Sequence, residues 1–494
     1  MKGPKFYVSV MLLLIFIMAL RTPIDSDMWW HLRAGEKTVT EAAPYLVDDL
    51  SHTRLGARWI NHSWLAQVVM YGIYKLGGLR GISLWVGISV VLTFSIVYLQ
   101  SEGGPLIKIF VLLLAAAVSS TVWTPRPQMF SLFLFALLNY LLAQYLRNQV
   151  KKPYFLIPLF VIWSNLHGGY ALGFMLLGVY LIGAVIDFVM GNSREITFSS
   201  KKIWKLSLWG LISWIAVLIN PNGIGMWKIP FQTVGVETLQ QLIGEWASPD
   251  FHQPLQQLFL VLMFLAFGVI GFSRKKLRGQ EFMAVFVFGA AALIARRNFG
   301  PFALVTAPVI CRHGQDILQN LSEKAKERLS WFEKILNYQE KSKREINPKL
   351  QTTINWLVIA ALVFASAAKL IKATEPEFVQ DSLARFYPVS AVEWIKENQP
   401  DGLMLNSYNW GGYLIWHLPE YPVFVDGRTD LYGDEILREW LDVVRGNQGW
   451  EKTLESKNIK LLVLEVDQPL IAEIDSTDWI NVYKDESAVI FTKH

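Results

Sequence analysis

Long apolar runs separated by short polar loops dominate the chain as far as residue 373. Several approach the ~20 residues that a helix needs to cross a bilayer, whereas two are short. This pattern predicts a polytopic α-helical membrane protein. The runs occupy residues 6–20, 64–79, 82–99, 106–123, 129–146, 154–166, 170–190, 206–220, 255–272, 281–295, 299–311 and 354–372.

Segments at the two ends of the apolar region are predicted to attach the chain to the membrane. Residues 6–20 follow Lys2 and Lys5 without a small-residue cleavage site, which favours an uncleaved anchor over a signal peptide. The basic segment 312–350 predicts a cytoplasmic amphipathic helix over 315–345 that lies on the membrane surface.

The segment 64–79 decides the topology, because it contains Gln67, Lys75 and nearby glycines. If it lies along the membrane surface as an amphipathic helix, inside segments contain 23 Lys and Arg residues against 9 in outside loops. Basic residues concentrate in cytoplasmic loops. We therefore expect about eleven spans, a cytoplasmic amino terminus, a first outside loop over 21–80 with surface helices, and an extracytoplasmic carboxy-terminal domain.

The last part of the chain, residues 374–494, differs from the transmembrane part, residues 1–373. Strand-like runs at 403–406, 422–426 and 460–466 alternate with helical stretches at 388–398, 433–445 and 449–457. Such alternation is typical of βαβ units with a parallel sheet. The terminal segment WINVYKDESAVIFT predicts an edge hairpin, so this part is predicted to be a soluble α/β domain.

Composition supports a membrane protein and excludes several other classes. Hydrophobic residues make up 52% of the chain and charged residues 18%, and mean hydropathy is +0.30. The single cysteine, Cys311, excludes an intrachain disulfide and thiolate–metal clusters. Residues 374–494 contain 22 acidic and 10 basic residues, so the net charge of +5 conceals a basic membrane part. Its cations lie in short loops, which excludes a nucleic-acid surface.

The first outside loop begins with the densest polar motif, Asp25-Ser-Asp27-Met-Trp-Trp-His31-Leu-Arg33. Two carboxylates at this spacing can hold a divalent cation such as Mg²⁺ or Mn²⁺, or leave one of them as a general base. The same residues equally suit a helix N-cap beside an interfacial tryptophan belt. The motif alone leaves both interpretations open.

Three further arginines lie at predicted outside surfaces, where the topology rule disfavours cations. Arg126 is in TPRPQ, and Arg296 and Arg297 are in ARRNFGP. Arginine suits phosphate oxygens, so these residues are candidates for binding an anionic head group, or for contacting lipid phosphates. His167 and Glu245 also fall at outside ends of spans and are candidates for substrate binding or for structural hydrogen bonds.

These motifs resemble those of the GT-C superfamily, multipass glycosyltransferases that use polyprenyl-phosphate-linked sugars. The resemblance rests on one span, an outside loop opening with D-x-D-x-W-W-H-x-R, the surface helix SWLAQVVMYGIYKLGGLRGISLW and an outside R-P-Q turn. It covers residues 1–150 best. It implies Asp25 and Asp27 as base or metal ligands, Arg126 at the second turn, and His31 and Arg33 near substrate.

The carboxy-terminal part resembles that of a broad group of bacterial membrane proteins through NWGGYLIWHLPEYPVFVDGRTDLYG. NWGGY occupies the place of the acceptor-reading W-W-D-Y-G of oligosaccharyltransferases but has no aspartate, and Gln128 and Met129 stand where relatives place a second acidic residue. We expect Asn409, Trp410 and Tyr413 to contact a sugar. Asp426 and Arg428 are further substrate candidates.

We therefore expect a glycosyltransferase of the cell membrane that transfers a sugar from a polyprenyl-phosphate-linked donor to an extracytoplasmic acceptor. Asp25 or Asp27 would act as the base, and Arg126, Arg296 or Arg297 would stabilise the departing phosphate. Two alternatives stay open at this point. A lipid-linked glycan flippase would move its substrate without transfer, and a non-catalytic assembly protein would use the α/β domain to bind a partner.

Overall fold

The computed structural model describes residues 3–190, 200–232, 243–328, 347–474 and 478–493. Most of these residues are helical. The helices of the amino-terminal part are α1 Pro4–Ala19, α2 Ser26–Thr40, α3 Trp64–Gln100, α4 Pro105–Ser119, α5 Gln128–Leu146, α6 Leu156–Leu166, α7 Tyr170–Val189, α8 Ser200–Ala216, α9 Ile229–Gln232, α10 Pro254–Phe272, α11 Gly279–Ile294, α12 Phe299–Arg328 and α13 Pro348–Ala373.

The chain is a multipass membrane protein. Within its described part, six helices are long and apolar enough to cross a bilayer: α3, α4 with the turn that follows it, α5, α7, α10 and α13. Shorter apolar helices correspond to α1, α6 and α11. The remaining predicted runs, 206–220 and 299–311, fall largely in α8 and α12. The predicted number of eleven spans stays a prediction.

The helix α3 joins the two apolar runs that the sequence separated. Gly78 has φ 54° and ψ −149° inside it, which is a left-handed conformation that glycine tolerates without a Cβ penalty. The predicted break between 64–79 and 82–99 is therefore confirmed as a kink. Orientation of the first half along the membrane surface stays a prediction.

The predicted cytoplasmic helix over 315–345 is only partly within the described residues. Residues 315–328 continue α12 without interruption from Phe299. Residues 329–345 lie outside the described part of the chain. The prediction of a separate helix that begins at residue 315 is therefore wrong, because these residues extend α12.

The carboxy-terminal part is α/β, as predicted. Its helices are α14 Pro376–Ala384, α15 Val389–Asn398, α16 Gly411–His417, α17 Thr429–Val444, α18 Trp450–Ser456 and α19 Leu470–Glu473. Its strands are β1 Leu403–Asn406, β2 Ile459–Glu465, β3 Trp479–Lys484 and β4 Ala488–Lys493. In the described residues they form a sheet of order β1-β2-β4-β3. Only β1 and β2 are parallel, and β3 and β4 form the predicted hairpin.

The predicted strand at 422–426 is wrong, and the structure shows why. Asn406 binds this segment with its side chain, accepting from the Phe424 amide at 2.8 Å and donating to the Val425 carbonyl at 2.9 Å. On its other side, Val423 makes a single bridge to Ser51 in the loop between α2 and α3. The segment therefore joins the sheet to that loop without entering a ladder.

The described residues form two hydrophobic cores. One lies among the membrane helices. The second contains buried residues of α2 and the first half of α3 together with most of the carboxy-terminal part; Met28, Trp29 and Leu32 are among its members. The loop after α1 and the carboxy-terminal part therefore share one core. Residues after Ala373 thus pack on the loop that carries the D-x-D motif.

Candidate functional site

The two carboxylates of the D-x-D motif stand at the start of α2. Asp25 is the N-cap residue, and its Oδ1 accepts from the backbone amides of Asp27 at 2.9 Å and Met28 at 3.3 Å. The N-cap interpretation of this motif is therefore confirmed. Asp27 lies in the first turn, where its Oδ1 accepts from Trp30 Nε1 at 3.1 Å.

Arg126 lies between these carboxylates. Its Nε is 2.6 Å from Asp25 Oδ1, and its Nη1 is 2.7 Å from Asp27 Oδ2 and 3.7 Å from Glu245 Oε1. Three acidic residues from two distant segments therefore surround one guanidinium. Charge-assisted bonds of this length are strong, so Arg126 fixes the positions of both aspartates.

Burial and charge shift the pKa values in this group. Burial raises the pKa of Asp27 to about 6, with Asp25 and Glu245 acting in the same direction and Arg126 opposing them. Asp25, Asp27 and Glu245 raise the pKa of Arg126 well above its usual value despite the cost of burial. Asp27 is therefore a carboxylate that can take a proton near neutral pH.

Arg296 and Arg297 form a short turn beside Glu245. The Arg297 guanidinium stacks on Trp246, 4.2 Å from the ring centroid, and the Arg296 amide donates to the Ala247 carbonyl at 3.2 Å. Among the described residues, Arg297 has no carboxylate within ion-pair distance. Burial and the nearby Arg126 lower its pKa, whereas Glu245 raises it. Arg297 therefore lies within the electrostatic reach of Arg126 and Glu245, and its predicted contact with phosphate stays a prediction.

The residues present do not suit the predicted divalent cation. The Arg126 guanidinium already bridges Asp25 and Asp27 at 2.6 and 2.7 Å, so a second cation between them would face a fixed positive charge. Within the described residues, His, Cys, Asp and Glu form no group of three or more that could hold a metal ion. Arg126 thus supplies the positive charge that a metal would bring.

His31 and Arg33 point in different directions from α2. Buried His31 stacks on Trp30, with ring centroids 3.5 Å apart, and its Nδ1 lies 3.2 Å from Gln67 Nε2. Burial and Arg126 lower its pKa well below the usual value, so it is neutral. Arg33 instead donates to the Ile415 and Trp416 carbonyls at the end of α16. It joins α2 to the carboxy-terminal part, and its expected contact with substrate stays a prediction.

His167 belongs to a second polar cluster that the sequence only partly indicated. Its Nδ1 lies 2.7 Å from Ser131 Oγ, and its ring centroid lies 5.9 Å from that of His62. His62 Nδ1 is 3.9 Å from Asp430 Oδ2, which also accepts from Trp59 Nε1 at 3.0 Å. His62 and Asp430 were not among the predicted site residues. The available signal was that His62 directly precedes the surface-helix segment SWLAQVVMYG and that Asp430 lies two residues after Arg428.

Two glycines let the carboxy-terminal loops lie directly on the D-x-D motif. A Cβ on Gly412 of NWGGY would overlap the Ser26 carbonyl oxygen. A Cβ on Gly427 of VDGR would overlap Asp27 Oδ1 and come within 3.0 Å of Trp30 Nε1. Only glycine permits this approach. The carboxy-terminal part therefore covers one side of Asp27.

The expected sugar platform in NWGGY is wrong for its aromatic residues. Trp410 and Tyr413 are each only 3% exposed. The Trp410 indole donates to the Phe386 carbonyl at 3.0 Å, and Tyr413 stacks on Tyr387 with centroids 4.7 Å apart. Both are core residues whose faces are already covered. Asn409 is exposed, and its predicted sugar contact stays a prediction.

The predicted substrate contacts of Asp426 and Arg428 are corrected, because both side chains are fully buried and bonded to each other. Arg428 is fully buried; its Nη2 lies 2.7 Å from Asp426 Oδ2 and its Nη1 lies 2.5 Å from Asp48 Oδ1 in the first loop. Tyr432 donates to Asp426 at 2.6 Å. A buried pair of this kind tolerates no missing partner, so it fixes the loop to the carboxy-terminal part.

No protein-family model matches the chain, and no curated protein matches its sequence. Solved structures do match. The archaeal oligosaccharyltransferase AglB from Archaeoglobus fulgidus, in complex with an inhibitory peptide and a dolichol-phosphate, is 12% identical with a TM-score of 0.55, over 93% of this chain and 69% of that one. ArnT from Cupriavidus metallidurans in the apo state is 13% identical with a TM-score of 0.50, over 97% and 96%. At such identity the likeness concerns the fold.

Proposed function

Because the chain has the fold of the GT-C glycosyltransferases, we propose that it transfers a sugar from a polyprenyl-phosphate-linked donor to an acceptor hydroxyl outside the cytoplasmic membrane. The proposal is supported by the dolichol-phosphate in the AglB complex and by the clustering of aspartates and arginines around Arg126. The identities of sugar and acceptor are not part of it.

The proposed step is a single displacement at the anomeric carbon. The acceptor oxygen forms a bond to that carbon while the bond from carbon to phosphate oxygen breaks. The acceptor proton passes to a carboxylate, and the polyprenyl phosphate leaves with the negative charge. This chemistry needs two groups, a base whose pKa lies near neutral pH and a cation at the leaving phosphate.

Asp27 suits the role of general base better than Asp25 does. Its side chain is 17% exposed, against 4% for Asp25, and its pKa is raised to about 6. Asp25 is committed to the backbone amides at the start of α2 and to Arg126. We therefore assign Asp25 and Arg126 as positioning residues that hold Asp27 toward the acceptor.

The observation that carries the proposal is the state of Arg297. Its guanidinium stacks on Trp246 and, among the residues described, has no carboxylate within ion-pair distance. A half-buried arginine with no carboxylate in direct contact among the described residues is costly unless an anion binds it. A donor phosphate would supply that anion, beside Glu245 and within the field of Arg126. Arg126 itself is already bound by carboxylates and is a weaker candidate for this role.

The test is donor dependence in an Arg297→Gln variant. Purified protein is assayed with polyprenyl-phosphate-linked sugars, and kcat/KM for the donor is measured. We expect a fall of about 100-fold, since removal of one hydrogen-bond donor that stabilises a developing oxyanion costs roughly 10²–10³ in rate. Arg58→Gln is the matched control, because Arg58 is an exposed arginine of the first outside loop.

Unchanged kcat/KM in Arg297→Gln, at wild-type thermal stability, would contradict the assigned phosphate contact. Lipid flipping in proteoliposomes without a glycosyl product would contradict transferase function and support the flippase alternative instead. Equal losses in Arg297→Gln and Arg58→Gln would show a general effect of surface charge and would equally contradict the assignment.

A further inference from the structure

A cluster of polar side chains lies beside the D-x-D motif, where three parts of the chain meet. His62 precedes α3, His167 lies between α6 and α7, and Asp430 lies in the first turn of α17. His62 Nδ1 is 3.9 Å from Asp430 Oδ2, and the His62 ring centroid is 5.9 Å from that of His167. These three residues are called the histidine cluster below.

Two neighbouring tryptophans connect the histidine cluster to Asp27. Trp30 Nε1 donates to Asp27 Oδ1 at 3.1 Å, and Trp59 Nε1 donates to Asp430 Oδ2 at 3.0 Å. The two indole rings pack edge to face with their centroids 5.7 Å apart. Adjacent indoles therefore hold the two carboxylates, so the histidine cluster lies next to the proposed base.

The hydrogen bonds of His167 determine which of its ring nitrogens carries a proton. The Gly169 amide donates to His167 Nδ1 at 3.0 Å, so Nδ1 presents its lone pair. Ser131 Oγ, which accepts from Trp163 Nε1 at 2.7 Å, donates to the same nitrogen at 2.7 Å. Burial lowers the pKa of His167 well below its usual value, so the ring is neutral. Nε2 therefore carries the hydrogen, and it has no hydrogen-bond partner among the described residues.

Asp430 and Tyr408 add two polar atoms that lack partners within the described part of the chain. The Asp430 side chain is 14% exposed, and its Oδ1 accepts no hydrogen bond there. Tyr408 is 8% exposed, and its buried hydroxyl has no hydrogen-bond partner. Burial raises the pKa of Tyr408, and Asp27 and Asp430 add to this effect, so the hydroxyl lies in the field of both carboxylates. A buried hydroxyl without a partner destabilises the fold, and a hydrogen bond to a ligand would remove that cost.

The charges in the histidine cluster select the kind of ligand. Burial lowers the pKa of His62, against the effect of Asp430, so His62 and His167 are both neutral near neutral pH. The negative charge of Asp430 then disfavours a phosphate or a carboxylate. An ammonium group can only donate, which leaves the His167 Nε2–H and the Tyr408 hydroxyl without an acceptor. Hydroxyl groups both donate and accept, so neighbouring hydroxyls match all of these atoms.

We propose that the histidine cluster and Tyr408 bind hydroxyl groups of the acceptor, and that the acceptor is a carbohydrate rather than a peptide. His167 Nε2 and the Tyr408 hydroxyl donate to the acceptor hydroxyls, and Asp430 Oδ1 accepts from one of them. A serine or threonine side chain has a single hydroxyl, which the reaction uses at Asp27. A sugar has further hydroxyls for this cluster. The acceptor role rests on the proposed function, whereas the binding of a sugar does not.

The experiment measures ligand binding to the full chain by saturation-transfer NMR. Lipid nanodiscs replace detergent, because sugar detergents would compete for the site. The probes are methyl α-D-mannopyranoside and methyl β-D-glucopyranoside, with N-acetyl-threonine amide as the comparison that carries a single hydroxyl.

Two variants of similar shape test the cluster. Tyr408→Phe removes only the hydroxyl. In Asp430→Asn the amide oxygen keeps the bond to Trp59, so an NH₂ group replaces the acceptor that faces the ligand. The matched controls are Asp381→Asn and Tyr483→Phe, which change an exposed aspartate and a half-buried tyrosine elsewhere in the carboxy-terminal part.

We expect saturable binding of at least one glycoside to the wild type and weaker binding of the threonine amide. Glycoside affinity should fall at least about fivefold in Asp430→Asn and in Tyr408→Phe, because each loses one hydrogen bond, and stay unchanged in both controls. Asp27→Asn should still bind the glycoside while it loses transfer, which separates failure of the proposed function from failure of this site. Three results would overturn the proposal: no saturable binding of either glycoside, tighter binding of the threonine amide, or wild-type affinity in both cluster variants.

Discussion

Arg126 Nε lies 2.6 Å from Asp25 Oδ1, although 101 positions separate the two residues. This ion pair joins the loop after α1 to the turn before α5, and Asp27 completes it at 2.7 Å. Two loops that could have stood apart on the membrane surface are therefore held as one site. The relationship also gives Asp27 a defined position, whereas its raised pKa comes mainly from burial, against the effect of Arg126.

The raised pKa of Asp27 predicts the acidic limb of the activity profile. A base must be deprotonated to accept a proton, so transfer should fall as pH drops through about 6, by about tenfold per unit below it. The measurement is kcat/KM for the donor between pH 4.5 and 8. A midpoint near ~4, the ordinary value for an aspartate, would contradict the assignment of Asp27 as the base.

Replacement of Gly427, which belongs to the carboxy-terminal part, by alanine should displace Asp27 in the candidate site. The added Cβ would overlap Asp27 Oδ1, so either Asp27 or the VDGR loop must move. We expect turnover to fall at least about tenfold, with a lower unfolding temperature. Gly72→Ala is the control, because a Cβ there meets nothing within 4 Å. Wild-type turnover in Gly427→Ala would show that this contact is unimportant.

The place of Arg126 predicts that transfer does not depend on a divalent cation. Turnover of the wild type should therefore survive EDTA, and Mn²⁺ should show no saturable binding at the site. In Arg126→Gln, the carboxylates of Asp25, Asp27 and Glu245 lose their shared cation, so we expect weak Mn²⁺ binding together with lost turnover. Complete inactivation of the wild type by EDTA, reversed by Mn²⁺, would contradict this account.

The predicted topology places the carboxy-terminal part outside the cytoplasm. Cysteine is introduced at the exposed Glu397 after buried Cys311 is changed to serine, and intact cells are treated with a membrane-impermeant maleimide. We expect labelling at position 397 and protection of a control cysteine at exposed Gln149 until the cells are lysed. The reverse pattern would overturn the topology and place Asp27 in the cytoplasm.

The charged residues around Arg126 could be singled out from the sequence, because charged side chains at these positions are unusual in a membrane protein. Carboxylates at Asp25 and Asp27 and arginines at Arg126 and Arg297 all stood at the same predicted surface. Loops at one end of a helix bundle lie close together, so the shared predicted surface made these residues candidates for one site, while their actual contacts needed the structure. Which cation would pair with the carboxylates did not follow, because a guanidinium and a metal ion satisfy the same oxygens.

The errors arose where residue type does not distinguish a core from a binding surface. Trp410 and Tyr413 are residue types that commonly stack on sugars. In the structure Trp410 donates to the Phe386 carbonyl and Tyr413 stacks on Tyr387, contacts that depend on tertiary structure. The 422–426 segment has the pattern of a strand. Its backbone hydrogen bonds go to the Asn406 side chain and to the first loop instead of to a neighbouring strand. The local sequence pattern does not show which of these partners a segment will take.

The most direct test of the proposed function is transfer by Asp27→Asn compared with Asp381→Asn, which changes an exposed aspartate of the carboxy-terminal part. Purified variants of wild-type thermal stability are assayed with polyprenyl-phosphate-linked sugars, and product formation is measured in a single turnover. We predict a loss of about 10²–10⁴ in rate for Asp27→Asn and none for Asp381→Asn, as removal of a general base requires. Equal rates for the wild type and Asp27→Asn would contradict the proposal that Asp27 is the base of a glycosyltransferase.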